Sequence, residues 1–274
     1  MLPSQPLRNR PESGGVHVAI TARAGRGGYL WHVLGLPDDI HALLFDLDGV
    51  LTQTAKVHFK AWKQTFDEYL KQRDGDSFKE FTQDDYNQYV DGMPRYDGVR
   101  TFLKSRGIEL PDGTPDDAPD AETVDGIGNR KNALVMHLIK TDGVQVYDGS
   151  VAYVRAARDA GLPRAVVSAS ANCQDVLEAA GIADLFDARI DGVVATREHL
   201  RGKPHPDTFL AGAKALGVAP AQATVFEDAT AGVQAGHDGN FGFVVGVDRV
   251  DHAAALKQHG ADVVVKDLSE LLDA

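Results

Sequence analysis

Asp46-Leu47-Asp48-Gly49 sets two carboxylates on either side of a leucine, directly behind the apolar run Ala42-Leu43-Leu44-Phe45. Such a run reads as a strand buried in a parallel sheet, and Gly49 lets the chain turn sharply as it leaves. The carboxylates then sit at the carboxyl end of the strand, the edge of an open α/β sheet where ligands bind. There, one carboxylate can attack a phosphorus atom while the other moves a proton. Both repel a phosphoryl group, so this chemistry calls for a metal. The residue types and spacing point to Mg²⁺-assisted phosphoryl transfer through an aspartyl phosphate. The plain alternative is a strand followed by an acidic turn.

Three later constellations bear on that choice. Ala165-Val166-Val167, a strand by pattern, runs into Ser168-Ala169-Ser170-Ala171-Asn172. A serine hydroxyl and backbone N–H groups there can bind phosphoryl oxygens, but Ser170 or Asn172 can equally cap a helix. In Gly202-Lys203-Pro204-His205-Pro206-Asp207 two prolines stiffen the backbone beside Lys203. A lysine so mounted can neutralise an attacking aspartate and a transferring phosphoryl group; alone, it reads as a surface lysine before a helix. Val225-Phe226-Glu227-Asp228 ends an apolar strand in two acids. Together with Asp46 these suit a hard, oxygen-liganded Mg²⁺; alone, they suit a helix N-terminus. Each constellation is ordinary by itself. The argument lies in their succession, each at the end of a strand.

The elements that must position these residues follow from periodicity. After the first strand, Phe59, Trp62, Phe66, Tyr69 and Leu70 recur at helical spacing. Further helices are expected near 82–90, with Thr82 as N-cap, near 96–105 and near 123–139. Pro111–Asp120, rich in Pro, Gly and Asp, reads as a solvated loop. Beyond Gly143 strands (165–167, 188–190, 223–226, 243–247, 262–265) alternate with helices (175–180, 207–216, 229–237, 253–259). Val193-Val194 is a further, weaker strand candidate. Alternation of this kind predicts an α/β fold: a doubly wound, Rossmann-like parallel sheet, covered on both faces. The expected core comprises residues 41–53 and 141–274, with an all-helical cap inserted over residues 54–140.

Composition narrows the partners. The net charge of −12 argues against nucleic acid and anionic membranes. The single cysteine, Cys173, excludes an internal disulfide and fits a reducing cytoplasm. No apolar stretch is long enough to span a bilayer. Residues 1–32 differ from the rest: Arg8, Arg10, Arg23 and Arg26 against Glu12 give +3, leaving −15 for the remainder. Their glycines break any periodic pattern, so a disordered tail is expected, taken as residues 1–40. The globular pattern begins near Val33, where the biological start is expected.

The four constellations resemble the motifs of the haloacid dehalogenase superfamily of phosphotransferases, from Ala42 to about Leu272. Within it, Thr52-Gln53-Thr54-Ala55-Lys56-Val57-His58-Phe59-Lys60-Ala61-Trp62 is similar to the β-phosphoglucomutase family. That resemblance implies interconversion of β-glucose 1-phosphate and glucose 6-phosphate by way of β-glucose 1,6-bisphosphate. It implies Asp46 as nucleophile and Asp48 as general acid and base. Mg²⁺ would be held by Asp46, the backbone carbonyl of Asp48, Glu227 and Asp228. Ser168, Ala169 and Lys203 would bind the transferring phosphoryl group. Thr54, His58, Trp62, Gly92, Arg95, Lys131, Ser170 and Asn172 would bind the sugar phosphate, with Arg95 gripping the phosphate that is not being transferred. His58 and Trp62 share a helix face, His58 to support Asp48 and Trp62 either to touch substrate or to fill the core. The neighbouring Arg130-Lys131 fits a phosphate site or a solvated helix face. The sequence departs from the resemblance at Met93-Pro94 and Ala171, where polar residues and a lysine are expected, and in the insertion Pro111–Asp120. A monomer acting on small sugar phosphates is expected. The rival readings are a Mg²⁺-dependent sugar-phosphate phosphatase and a non-catalytic sugar-phosphate sensor. A dehalogenase would have no use for Asp48 in attack on carbon.

Overall fold

The computed structural model describes residues 34–272. The expected tail therefore lies mostly outside the described residues, as does the expected start near Val33. Its boundary at residue 40 needs correction. Leu34 and Ile40 are buried in the core, and Tyr153 Oη donates to the Leu34 carbonyl at 2.9 Å.

Six parallel strands form one sheet: β1 (Ala42–Phe45), β2 (Arg164–Val167), β3 (Ala188–Ile190), β4 (Ala223–Glu227), β5 (Phe243–Val247) and β6 (Val263–Val265). Their order is β3-β2-β1-β4-β5-β6. The chain fills one side of β1 and then the other, so the order reverses at β1, between β2 and β4. That switch point is where an open α/β sheet leaves a crevice at its carboxyl edge. Phe45 pairs in register with Val166 on one side and Phe226 on the other, so Asp46 and the residues after Val167 and Phe226 emerge side by side.

The strands alternate between two apolar layers, as the period of two demands. Leu43, Phe45, Val166, Phe226 and Val245 face a cluster with Tyr153, Val154 and Leu177. Ala42, Leu44, Val167, Val225 and Val244 face Phe209, Val233 and Leu256. The helices that supply these partners are α5 (Asp148–Asp159) and α6 (Cys173–Ala179) on the first face, and α8 (Asp207–Ala215), α9 (Thr230–Asp238) and α10 (Ala253–Gln258) on the second. A doubly wound sheet is thus observed. No described helix is long and apolar enough to cross a membrane.

Between β1 and α5 stand four helices: α1 (Thr54–Asp74), α2 (Gln83–Tyr89), α3 (Arg95–Ser105) and α4 (Val124–Asp142). They share a third apolar cluster built on Trp62, Phe66, Phe81, Phe102 and Ile127. Thr82 caps α2 in a capping box with Asp85, and Thr123 Oγ1 caps α4 by accepting from Gly126 N. Two linkers join this block to the sheet, and they pair with each other. Gln53 N donates to Gln145 O at 2.8 Å and Tyr147 N to Leu51 O at 3.0 Å.

Two elements differ from the sequence reading. Val193-Val194 lie in a short helix, α7 (Gly192–Arg197), not in a strand. Asp191 Oδ1 accepts from Val194 N at 2.9 Å, and this cap decides the local conformation over β propensity. Helix α5, not among the elements expected from the sequence, has an amphipathic face of Val151, Val154 and Ala157 against the sheet.

The tightest joint beneath the carboxyl edge is the stack of Phe45 on Phe226, 4.4 Å between centroids, with Tyr153 and Phe186 edge-on to Phe45. Phe45→Ala is expected to cost about 3–5 kcal/mol, read from the urea midpoint at unchanged m-value.

Candidate active site

Asp46 follows β1 directly and is nearly buried, its N–H donating to Phe226 O at 2.9 Å. Gly49 then turns at φ 87°, a left-handed conformation that side chains resist. A Cβ at Gly49 would also overlap the Asp228 carboxylate, so the turn admits only glycine. Arg249, at the end of β5, holds this turn from behind. Its Nε donates to Gly49 O at 2.9 Å and its Nη2 to Val50 O at 3.4 Å, and its guanidinium stacks 3.6 Å above the Tyr147 ring. Sequence reasoning did not single out Arg249, because nothing local links it to residues two hundred positions earlier.

Lys203 reaches the same edge from the loop between α7 and α8, immediately before a cis Lys203-Pro204 bond. It is 3% exposed, and its Nζ lies 2.5 Å from both Asp46 Oδ1 and Glu227 Oε1 and 3.3 Å from Val167 O. Burial disfavours its charge, but Asp46 and Glu227 outweigh burial and hold its pKa above the ordinary lysine range. The carboxylates fare differently. Burial pushes the Asp46 carboxyl well up, Lys203 opposing and Glu227 and Asp48 adding to the rise. Burial does the same to Asp228, reinforced by Asp91, Glu227 and Asp46. One lysine does not balance this concentration of acids.

A divalent cation would. Oxygen atoms of Asp46, Glu227 and Asp228 all lie within 4.8 Å of one another. Three converging hard oxygen donors with excess negative charge fit Mg²⁺. The side chain of Asp48 stands outside this group.

Asp48 is instead held by helix α1. Thr54 Oγ1 donates to Asp48 Oδ1 and shares a hydrogen with Thr52 Oγ1 at 2.6 Å. Thr54 is fully buried and sits behind Asp48, away from the cavity wall, so its expected place against substrate is corrected to one of orienting Asp48. His58 Nε2 faces the same Oδ1 at 3.5 Å. Its Nδ1 lies 2.8 Å from Lys131 Nζ. With Lys131 donating, Nδ1 accepts and the ring proton sits on Nε2, aimed at Asp48. Burial, then the Lys131 charge, lowers the His58 pKa to about 4 against the pull of Asp48. Burial likewise lowers Lys131 to about 7, with Asp48 opposing and Arg95 adding to the shift. The ammonium also lies 4.8 Å over the Trp62 ring. Trp62 itself is 3% exposed and stacked on Phe66, a core residue that shows one edge to the cavity.

A cavity of about 690 Å³ opens between the helical block and the sheet edge. Asp46, Asp48, Ser168, Ala169, Ser170, Asn172 and Lys203 line it from the sheet, and His58, Trp62, Gly92, Arg95 and Lys131 from the helices. Ser168 Oγ accepts from Ser170 N and Ser170 Oγ from Asn172 N, each at 3.1 Å, so the loop is wound around its own hydroxyls. Asn172 occupies the N-cap position of α6 but makes no capping bond. Its amide donates across the cleft to Asn132 Oδ1 of α4 at 2.7 Å. Arg130, paired with Lys131 in sequence, faces away. Its Nε donates to Pro119 O at 2.7 Å, which removes it from the cavity.

Two small-residue contacts bring the helical block down on either side of the acids. Gly92 packs on Ala229, where an added Cβ would stand 3.3 Å from the alanine methyl. Gly202 packs under Pro94, and an added Cβ would overlap that ring. Pro94 thus has a steric role in place of a polar one. Asp91 is the residue the sequence reading passed over. Burial, then Glu227, raises its carboxyl to about 7, with Tyr86 as a hydrogen-bond partner opposing the rise. Its place in the cavity wall marks it, directly before the Gly92–Arg95 segment that the sequence reading did single out.

The family model of the haloacid dehalogenase-like hydrolases matches residues 40–240. The chain belongs to this family. A β-phosphoglucomutase of Mycobacterium bovis is 56% identical over 247 residues, covering 88% of this chain and 94% of the relative. A fructose-1-phosphate phosphatase of Escherichia coli is 30% identical over 213 residues, 76% of this chain and 94% of its own. Among solved structures, a β-phosphoglucomutase of Clostridium difficile superposes with a TM-score of 0.67 at 28% identity, over 85% of this chain and 93% of that one. The chain's relatives thus include both mutases and phosphatases.

The Lys131–His58 contact yields a measurable sign. Removing the Lys131 charge in Lys131→Met takes away the second-largest cause of the His58 depression. The His58 pKa is expected to rise from about 4 and to stay below 6.5, because burial persists. NMR titration of the His58 ring protons checks this, and an unchanged or lower pKa contradicts the contact.

Proposed function

We propose that this enzyme is a β-phosphoglucomutase, interconverting β-glucose 1-phosphate and glucose 6-phosphate through an aspartyl phosphate and β-glucose 1,6-bisphosphate. The observation that carries the reading is a cation on the helical side of the cavity, Arg95, facing the same space as Lys203. Among the described residues no carboxylate stands within ion-pair distance of Arg95, although Asp125 acts on it from farther off; its guanidinium lies 5.0 Å from the Tyr96 ring centroid. A guanidinium that no carboxylate engages directly suits a phosphate bound bidentately. A bisphosphate that turns over between two half-reactions needs a grip at each end. A phosphatase needs one.

In this reading Asp46 Oδ attacks phosphorus, and the bond to the sugar oxygen breaks as Asp48 delivers a proton to it. In the opposite direction Asp48 removes the proton from the sugar hydroxyl that attacks the phospho-aspartate. Thr54 holds the Asp48 carboxyl in place for both steps, with His58 Nε2 facing it at 3.5 Å. Lys203 offsets the charge that gathers on Asp46 and the phosphoryl oxygens, with Ser168 and the Ala169 backbone as further donors. Asp46, the Asp48 carbonyl, Glu227 and Asp228 would hold Mg²⁺, which supplies positive charge between phosphoryl group and carboxylates. Seating of Gly92 on Ala229 and Pro94 on Gly202 shuts out water that would otherwise hydrolyse the phospho-aspartate.

A ³¹P NMR time course with Mg²⁺, β-glucose 1-phosphate and a trace of β-glucose 1,6-bisphosphate tests the reading. Glucose 6-phosphate is expected as the main product. Inorganic phosphate in its place makes the enzyme a sugar-phosphate phosphatase, as its E. coli relative is. In the same assay Gly202→Val, which props the helical block against Pro94, is expected to raise the share of inorganic phosphate. An unchanged share would remove the seal from the mechanism.

A further inference from the structure

The insertion Pro111–Asp120 is fastened to helix α4. Asn129 Nδ2 donates to Pro115 O at 3.0 Å and to Asp117 O at 2.9 Å. The Asp117 carboxylate in turn accepts from Thr114 at 2.8 Å and from Thr123, the N-cap of α4, at 2.6 Å. The other side of the Asn129 amide faces α3, where its Oδ1 accepts from Tyr96 Oη at 3.0 Å. With both amide hydrogens taken by the loop and its oxygen by the phenol, the amide has one orientation that satisfies every partner. The Tyr96 ring lies against Gly128, where a Cβ would stand 2.7 Å from two ring carbons, and the Arg95 guanidinium packs on the same ring.

We propose that the insertion positions Arg95: its carbonyls fix the Asn129 amide, the amide fixes Tyr96, and Tyr96 seated on Gly128 fixes the guanidinium in the cavity. This rests on the reading of Arg95 as the grip on the non-transferring phosphate. An arginine is long and has many rotamers, and ordering it before substrate arrives lowers the entropy lost on binding. Tyr96 and Asn129 are positioning residues here. Their effect is on substrate affinity, and it passes through Arg95 alone.

The test measures kcat and KM for β-glucose 1-phosphate in Tyr96→Phe, Asn129→Ala, Arg95→Ala and the two double variants. Tyr96→Phe and Asn129→Ala are each expected to raise KM about three- to tenfold with a smaller change in kcat, the scale of one lost hydrogen bond. In the Arg95→Ala background neither is expected to raise it further. If Arg95→Ala leaves KM unchanged, the grip itself fails. If Arg95→Ala raises KM but Tyr96→Phe and Asn129→Ala do not, or if their effects multiply with it, the grip stands and the positioning role is overturned. A lowered thermal midpoint at unchanged KM makes the network structural only. Tyr96→Phe keeps the ring and its packing, so the test survives a misfolded Asn129→Ala.

Discussion

Lys203 between Asp46 and Glu227 is the contact on which the site depends. Strands β1 and β4 lie side by side, and their ends bring Asp46, Glu227 and Asp228 together at the switch point of the sheet. A cluster of carboxylates buried this deeply is unstable without counter-charge, because neither water nor distance relieves it. Lys203 provides one charge and fits the gap between the two carboxylates at 2.5 Å to each. It leaves a deficit of positive charge, which a divalent ion would make up. The surrounding fold is arranged to hold the acids close in spite of it. The Phe45–Phe226 stack ties the two strands immediately below, and Arg249 anchors the Gly49 turn from outside.

The helical side has the complementary problem of burying cations. Lys131 is removed from water and brought to about 7, with only Asp48 opposing that fall. Its ammonium leans on the Trp62 face and on His58 Nδ1, a softer solvation shell than water. A phosphate entering the cavity would meet this lysine and Arg95 in a desolvated setting, where opposite charges attract more strongly than at a surface. Sheet edge and helical block are therefore each electrostatically incomplete, with opposite sign, and a metal-bound sugar phosphate would satisfy both.

Much of this was legible in the sequence. Ala42–Phe45 followed by two aspartates reads as a buried strand and its end, because four apolar residues bounded by acids and a glycine suit a parallel strand better than a helix. The succession of strand-end motifs then followed from the alternation of elements. What sequence did not disclose depends on approach between distant segments. Arg249 acts on a turn two hundred residues away, and Asp91 becomes unusual only when the helical block meets Glu227. Val193-Val194 show the local version of the same limit. Two β-branched residues favour a strand until Asp191 caps the turn before them. Arg130 and Lys131 adjoin in sequence and part in space, since neighbours on a helix point about 100° away from each other.

The charge of the chain places the burden of recognition on these buried groups. At −12 overall the protein has no long-range attraction for an anionic sugar phosphate. Arg100 and Arg201, which also border the cavity, are each paired with carboxylates. Three further cations of the cavity wall are held by other neighbours. Lys203 is fixed by two acids, Lys131 by an imidazole and an indole, and Arg95 by a ring that a glycine and an asparagine hold in place. Fixed, desolvated cations discriminate by geometry as well as charge. They favour an anion whose charged groups match their spacing over one that is merely negative.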